Sequence, residues 1–327
     1  MIKNEILIVG KIPPPVGGVT VHVSRLVETL NKRDFNAFHF FDLGKESMLL
    51  LLLEISRYKI IHLHTSNPYF QLIMGAHCRL IGRKLIITYH GNWGRFGFWK
   101  NFATELSSQF AFVPILLNFE SLEKAKKLNK NSVMISAFIP PVYVNPLNEG
   151  LRQKLTELRS KYKYLFCTNS SNLTFDKNGA EIYGISDLIT NISQTSKSAL
   201  LISDPSGTNK KYFEKCRKKI PDNILFICRE HDFWNMLEYS DAFVRNTKTD
   251  GDSISIHEAL LRGVTVFASD HVPRPTGCKL FTDVMEMDFE RELEIISSNF
   301  VQRTILEDSV DTIEEIVSVY RKCLSQY

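Results

Sequence analysis

Ile6-Leu-Ile-Val-Gly10, then Lys11-Ile-Pro-Pro-Pro-Val-Gly-Gly18, then Val19 to Asn31: these three consecutive stretches decide the fold class. The first is an apolar, mostly β-branched run that stops at a glycine, the pattern of a strand buried on both faces of a parallel sheet. The second is a proline-rich loop ending in two glycines. The third sets Val19, Val23, Leu26, Val27 and Leu30 on one face of a helix. Strand, glycine loop and helix in that order open a βαβ unit, because parallel strands need a crossover long enough to hold a helix.

The same alternation continues outward. Lys59 to His62, Leu85 to Thr88 and Phe112 to Leu117 read as strands, and Tyr69 to Ile81 as a helix. Prolines in Ile139-Pro-Pro-Val-Tyr-Val-Asn-Pro146 forbid a helix there and mark a domain boundary. A second series follows, with strands expected at Tyr164–Cys167, Ala199–Ile202, Ile224–Cys228, Ala242–Val244 and Val264–Ala268. Ser309 to Leu324 reads as a last amphipathic helix through Val310, Ile313, Ile316, Val317, Tyr320 and Leu324. The expected fold is therefore α/β, with two Rossmann-like, doubly wound parallel-sheet domains facing a central cleft. Their expected spans are 1–145 and 146–310, with 311–327 a helix that returns to the first domain. Open α/β sheets bind ligands outside the carboxyl ends of their strands, which puts the expected site in that cleft.

Composition sets limits on function. A chain of 327 residues that is 44% hydrophobic and 23% charged can bury a core in each of two domains, which excludes a disordered chain. A net charge of +4 over that length does not by itself indicate nucleic acid, which demands clustered cations. The six cysteines are scattered without metal-ligand spacing and read as free thiols of a reducing compartment. Met1 to Gly10 lacks a signal-peptide apolar core, and Met48–Leu53 stops at Glu54, far short of the ~20 apolar residues of a membrane span. The expected location is the cytoplasm, at most on the inner face of a membrane.

The segment Arg245 to Asp270 carries the strongest chemical signal. It follows a strand, opens a helix near Ser253–Ser255 and ends that helix at Gly263. A helix N-terminus offers unpaired N–H groups and the positive end of a dipole, an anion site suited to a diphosphate. Asp250 lies just before that turn and Glu258 inside the helix; as acceptors, carboxylates bind sugar hydroxyls well. Asp252 or Ser253 reads as the N-cap.

This segment resembles the acidic-x7-Glu element of the GT-B glycosyltransferases, in particular the retaining, nucleotide-sugar-dependent group 1 (family 4) enzymes of bacterial polysaccharide synthesis. The likeness runs along the whole chain in outline: Gly17-Gly18 after the first strand, His64, Tyr89-His90-Gly91, Ile139-Pro140-Pro141 and Asp176-Lys177-Asn178-Gly179. The resemblance implies that Glu258 binds the donor ribose, and that Asp250 lies near the donor-sugar hydroxyls. The amides of Gly251, Asp252, Ser253, Ile254 and Ser255 take the diphosphate, Lys177 neutralises it as it leaves, Gly17 and Gly18 allow close backbone approach, and His90 lies beside the transferred sugar. One departure is plain: where the family often has Gly-Arg before the lysine, this chain has Cys167-Thr-Asn-Ser-Ser-Asn172, so a second cation either comes from elsewhere, with Arg245 and Arg274 the candidates, or is absent. Lysine, arginine and helix amides can stabilise a leaving diphosphate, so the expectation is no metal and no cofactor beyond the nucleotide-sugar substrate.

His64, Asn92, Trp93 and Arg95 are the expected acceptor contacts. His62 and His64 alternate on one strand and point to one side; lacking a Cys or carboxylate at matching spacing, at least one of them reads as a hydrogen-bonded structural histidine rather than a metal ligand. Arg79, Arg83, Lys84, Arg95 and Lys100 interleave with Trp93, Phe96, Phe98 and Trp99, a composition suited to a membrane interface if exposed and to a core if not. Glu120 faces the cleft or opens a helix over Ser121–Leu128. The expected function is transfer of a hexose or N-acetylhexosamine, with retention, to a glycan hydroxyl that is carried on a lipid, with no nucleic-acid partner. Two alternatives stand beside it: a catalytically weak glycan-binding or assembly subunit of the same fold, and a nucleotide-sugar epimerase.

Overall fold

Each predicted central strand forms where its apolar run lies, and each is covered on both faces. The computed structural model describes residues 5–217, 219–298 and 311–327. The chain divides into two units, Met1–Val142 with Asp250–Ile254 and Val310–Tyr327, and Tyr143–Thr249 with Ser255–Ser309.

In the first unit the elements run β1 (Ile6–Gly10), α1 (Gly18–Lys32), β2 (Phe38–Asp42), α2 (Met48–Glu54), β3 (Ile60–His64), α3 (Pro68–Leu80), β4 (Lys84–Thr88), α4 (Phe98–Phe110), β5 (Val113–Leu116), α5 (Phe119–Lys126) and β6 (Val133–Met134). Six parallel strands lie in the order β2-β1-β3-β4-β5-β6, so the chain changes direction across the sheet between β1 and β3. Alternate side chains face opposite layers. Leu7, Val9, Ile61, Leu63, Leu85 and Ile87 pack with residues of α2, α3 and α5. Ile6, Ile8, Ile60 and Ile86 pack with Leu26 and Leu30 of α1 on the other face. Both faces being dry explains why these strands read as continuous apolar runs.

In the second unit α6 (Glu149–Lys161), β7 (Tyr164–Asn169), α7 (Ile185–Ser193), β8 (Ser198–Ser203), α8 (Thr208–Arg217), β9 (Ile224–Ile227), α9 (Phe233–Tyr239), β10 (Ala242–Arg245), α10 (Ile254–Leu261), β11 (Thr265–Ser269), β12 (Lys279–Phe281) and α11 (Phe289–Ser298) follow. Ile254, the first residue of α10, groups with the first unit. Six parallel strands lie in the order β12-β11-β10-β7-β8-β9, with the switch between β7 and β10. Both units are thus doubly wound α/β sheets.

Three strands escaped prediction: β2, β6 and β12. All three are peripheral: β2, β6 and β12 each end a sheet, where one backbone edge meets no neighbour and strands are short. The predicted helix at Ser121–Leu128 begins instead at Phe119, with Asn118 as its N-cap and Glu120 in its first turn, where an acid suits the dipole. Ser309 and Val310, at the start of the predicted last helix, lie outside the described residues.

That last helix, α12 (Thr312–Leu324), completes the core of the first unit. Ile313, Ile316, Val317, Tyr320 and Cys323 join the layer formed by Ile6, Ile8 and Ile60. Asp311 caps it through Ile313 N and pairs with Arg33 at 2.7 Å, while the Lys84 ammonium donates to the Cys323 carbonyl at 2.8 Å. Tyr320 is fully buried, and its hydroxyl lies 2.6 Å from His62 Nδ1. Replacing Tyr320 by Phe keeps the ring and deletes this bond, leaving a buried imidazole nitrogen unpaired. The expected loss is about 1–3 kcal/mol of stability, read from urea unfolding.

Candidate functional site

In the first unit, the chain reversal between β1 and β3 places polar groups at the carboxyl ends of those strands. β1 ends at Gly10, where a Cβ would come within 3.0 Å of Val23 Cγ2 and 3.3 Å of His64 Cβ. Glycine is needed there for close packing. Gly17 is the N-cap of α1 in an extended conformation, and no side chain caps the helix. A Cβ on Gly18 would meet nothing within 4 Å.

His64 ends β3 and His90 lies two residues beyond β4. His22, at the start of the second turn of α1, comes to the same place: the His22 ring centroid is 5.2 Å from that of His64 and 5.0 Å from that of His90. His22 Nδ1 is 2.8 Å from the Ala137 carbonyl, and His64 Nδ1 is 3.1 Å from His90 Nε2. His62, one strand position pair below His64 with ring centroids 4.1 Å apart, is held by Tyr320 and by Thr88 Oγ1 at 2.8 Å. It is the hydrogen-bonded structural histidine of the pair.

Burial governs these rings. It lowers His22 to about 4 and His62 to about 3, and holds His64 and His90 well below 6.5, with the neighbouring histidines adding to the effect. All four are neutral near pH 7.

A shallow, open pocket adjoins His90, lined by Asn92, Trp93 and Arg95 among others. Trp93 is buried, edge-to-face on Tyr89 at 5.3 Å, and so belongs mainly to the core; Arg95 is exposed over the Phe96 ring at 4.6 Å. Asn92 Oδ1 accepts from Asn118 Nδ2 at 2.8 Å. Asp250–Ile254 groups with this unit. The Asn118 amide also donates to the Gly251 carbonyl at 3.2 Å, and the Asp252 carboxylate accepts from Ser136 Oγ at 2.6 Å and Ala137 N at 2.9 Å. A Cβ on Gly251 would stand 3.1 Å from Gly91 Cα, so this turn relies on two glycines meeting.

In the second unit the switch between β7 and β10 is marked by Asn169 and Arg245, the last residues of those strands. Asn169 Oδ1 accepts from Arg245 Nη1 at 2.9 Å and from Ser255 Oγ at 3.1 Å, and Arg245 also reaches the Asn169 carbonyl. The guanidinium lies 4.8 Å from the centre of the Tyr183 ring. A cation is therefore delivered from β10 to the end of β7, within the Cys167–Asn172 stretch. Arg274 donates to the Thr247 and Ser269 carbonyls at 3.0 and 2.8 Å and to Ser269 Oγ at 2.9 Å. It pins the stretch that follows β10. Glu258 is 3% exposed on α10.

Lys177 is exposed at the tip of a small hairpin closed by the Phe175–Glu181 bridge. Asp176 Oδ1 accepts from Asn178 N and Ala180 N, Gly179 takes φ +79°, and Lys248 stands 3.6 Å from the Asp176 carboxylate. Backbone donation, led by Ala180, lowers the Asp176 pKa. Sequence reading missed His22, Asn169, Tyr183 and Lys248. Asn169 had one usable signal, a polar residue ending an apolar strand; His22 had none, since its partners lie far along the chain.

No family model matches the chain, and no curated protein matches its sequence. Its fold is that of the GT-B glycosyltransferases. Anabaena HepE in complex with UDP-glucose is similar over 98% of each chain, with a TM-score of 0.69 at 13% identity. WaaG, a glycosyltransferase involved in lipopolysaccharide biosynthesis, is similar over 96% of this chain and 99% of its own, at TM-score 0.65 and 11% identity. The sucrose-phosphate synthase of Thermosynechococcus elongatus matches over 99% of this chain and 100% of its own, at TM-score 0.64 and 13% identity.

The neutral histidines make the first unit sensitive to acid. An unfolded chain takes up these protons near pH 6.5, whereas the folded chain keeps His22 and His62 neutral down to about 4 and about 3. Their contribution is complete above pH 6.5 and is lost as pH falls from 6.5 toward 3. Urea unfolding of the wild-type protein should show its midpoint dropping through that window, and His62→Gln should flatten the drop.

Proposed function

We propose that this protein is a retaining glycosyltransferase that moves a hexose or N-acetylhexosamine from a nucleotide diphosphate sugar to a hydroxyl of a glycan acceptor. The observation that carries the reading is the β7–β10 switch point, where Asn169, Arg245 and Ser255 converge beside the helix that bears the buried Glu258. Nucleotides bind at such switch points, with phosphates on a helix N-terminus and a carboxylate on the ribose. HepE, of the same fold, has been crystallised with UDP and with UDP-glucose.

In this reading Glu258 binds the ribose, and the amides of Gly251 to Ser255 take the diphosphate. Arg245 supplies positive charge near it and Arg274 holds the loop. Lys177, on its hairpin, closes on the leaving diphosphate. Transfer needs no metal on the diphosphate, because developing charge meets fixed cations and amides. Asp250 and His90 face the transferred sugar, and Gly17 and Gly18 leave room for substrate. His64, Asn92, Trp93 and Arg95 form the acceptor side.

The acceptor is lipid-linked, the product a cell-surface polysaccharide, and the place of work the cytoplasmic face of a membrane. Supporting this, α4 exposes Phe98 and Trp99 at 75% and 70%, while α2 exposes Leu49 and Leu53 and α3 exposes Ile73 and Leu80. Lys100 and Arg79, next in sequence to Trp99 and Leu80, are exposed cations of the kind anionic headgroups attract. No described helix is long and apolar enough to cross a membrane.

Calorimetry with UDP, GDP and ADP tests the donor site. The wild-type protein should bind one of them, and Glu258→Ala should weaken that binding at least about tenfold; absence of nucleotide binding by the wild type overturns the reading. Lys177→Ala should lower turnover about 100-fold or more, with nucleotide affinity changed far less. A near-normal rate would assign the leaving group to other cations.

A further inference from the structure

Donor binding leaves unexplained why the first unit gathers His22, His64 and His90. They come from α1, the end of β3 and the loop after β4, and one ring nitrogen from each lies within 4.8 Å of the others. His22 and His64 are 2% and 1% exposed, and their Nε2 atoms have no hydrogen-bond partner. A buried polar atom without a partner is costly, and His22 Nε2, left so in a cluster of three imidazoles, points to something that binds there.

Tautomers sharpen the point. A carbonyl oxygen only accepts, so the 2.8 Å contact with Ala137 places the His22 proton on Nδ1 and leaves Nε2 as a bare lone pair. Imidazoles that ligate metals are held in this manner, with one nitrogen donating to the protein and the other free for the ion. Ala137 is itself fixed, because its N–H donates to the Asp252 carboxylate at 2.9 Å. His64 Nδ1 and His90 Nε2 are 3.1 Å apart. Two nitrogens on a tetrahedral ion with bonds of 2.0–2.1 Å are separated by roughly 3.3 Å. An all-imidazole set excludes magnesium and calcium, which take oxygen, and suits zinc or cobalt.

We propose that His22, His64 and His90 bind one divalent transition-metal ion, of the zinc or cobalt kind, with a water as fourth ligand. The ion ties α1 to the ends of β3 and β4 and stabilises the first unit. None of the three ligands belongs to the second unit, so metal uptake is read separately from nucleotide binding.

The test uses the full chain without a polyhistidine tag, stripped by chelator and titrated with CoCl2 or ZnCl2. Mass-spectrometric metal analysis should give one ion per chain. Cobalt should show the strong visible absorption of four-coordinate geometry, and zinc should raise Tm. X-ray absorption on the zinc-loaded wild type should count three imidazole nitrogens near 2.0 Å. His22→Gln and His64→Gln, folded by circular dichroism, should each weaken binding at least about tenfold, while His39→Gln binds like the wild type. No stoichiometric uptake by the folded wild type, fewer than three imidazoles, or undiminished affinity in both folded variants would each overturn the proposal. Should the variants misfold, the imidazole count on the wild type decides alone.

Discussion

Parallel strands leave every backbone amide of a central strand buried between two layers of helices, and this condition governs both units. Side chains on both faces must be apolar, which is why Ile6–Val9, Ile60–Leu63 and Leu200–Ile202 contain almost nothing else. Polar chemistry is driven to the strand ends, and it concentrates where the chain reverses direction across each sheet. Gly10 and His64 stand at one such point, Asn169 and Arg245 at the other. His62 is the exception, tolerated inside a strand because Tyr320 and Thr88 satisfy both of its ring nitrogens.

The two switch points are chemically opposite. The second unit ends its strands in an amide and a guanidinium that are bonded to each other, giving a fixed positive charge and directed donors. The first unit ends them in imidazoles that burial keeps uncharged. A guanidinium cannot shed its charge, and an imidazole in a dry setting cannot keep one.

The central strands were legible because double burial writes itself as an unbroken apolar run. β2, with Phe38, His39 and Phe40 only partly or not buried, carries no such run, and the two residues of β6 are too few to show any period. The Arg245–Glu258 segment announced a strand, a turn and a helix start through local chemistry alone, and the structure contains all three. The grouping of Asp250–Ile254 with the first unit was beyond such reading. It depends on Asn118 and Ser136, more than 100 residues away. The histidine cluster was hidden for the same reason, since His22 is oriented by Ala137, separated from it by 115 positions.

The bond between His62 and Tyr320 joins residues 258 positions apart. The second unit draws on residues that are nearly continuous, whereas the layer over Ile6, Ile8 and Ile60, which α1 covers in part, is completed only by α12. During synthesis the order of completion is therefore inverted: the later-translated unit can close while the earlier one still shows an apolar sheet face. Chaperones that shield such faces would hold the N-terminal sheet until the last helix emerges.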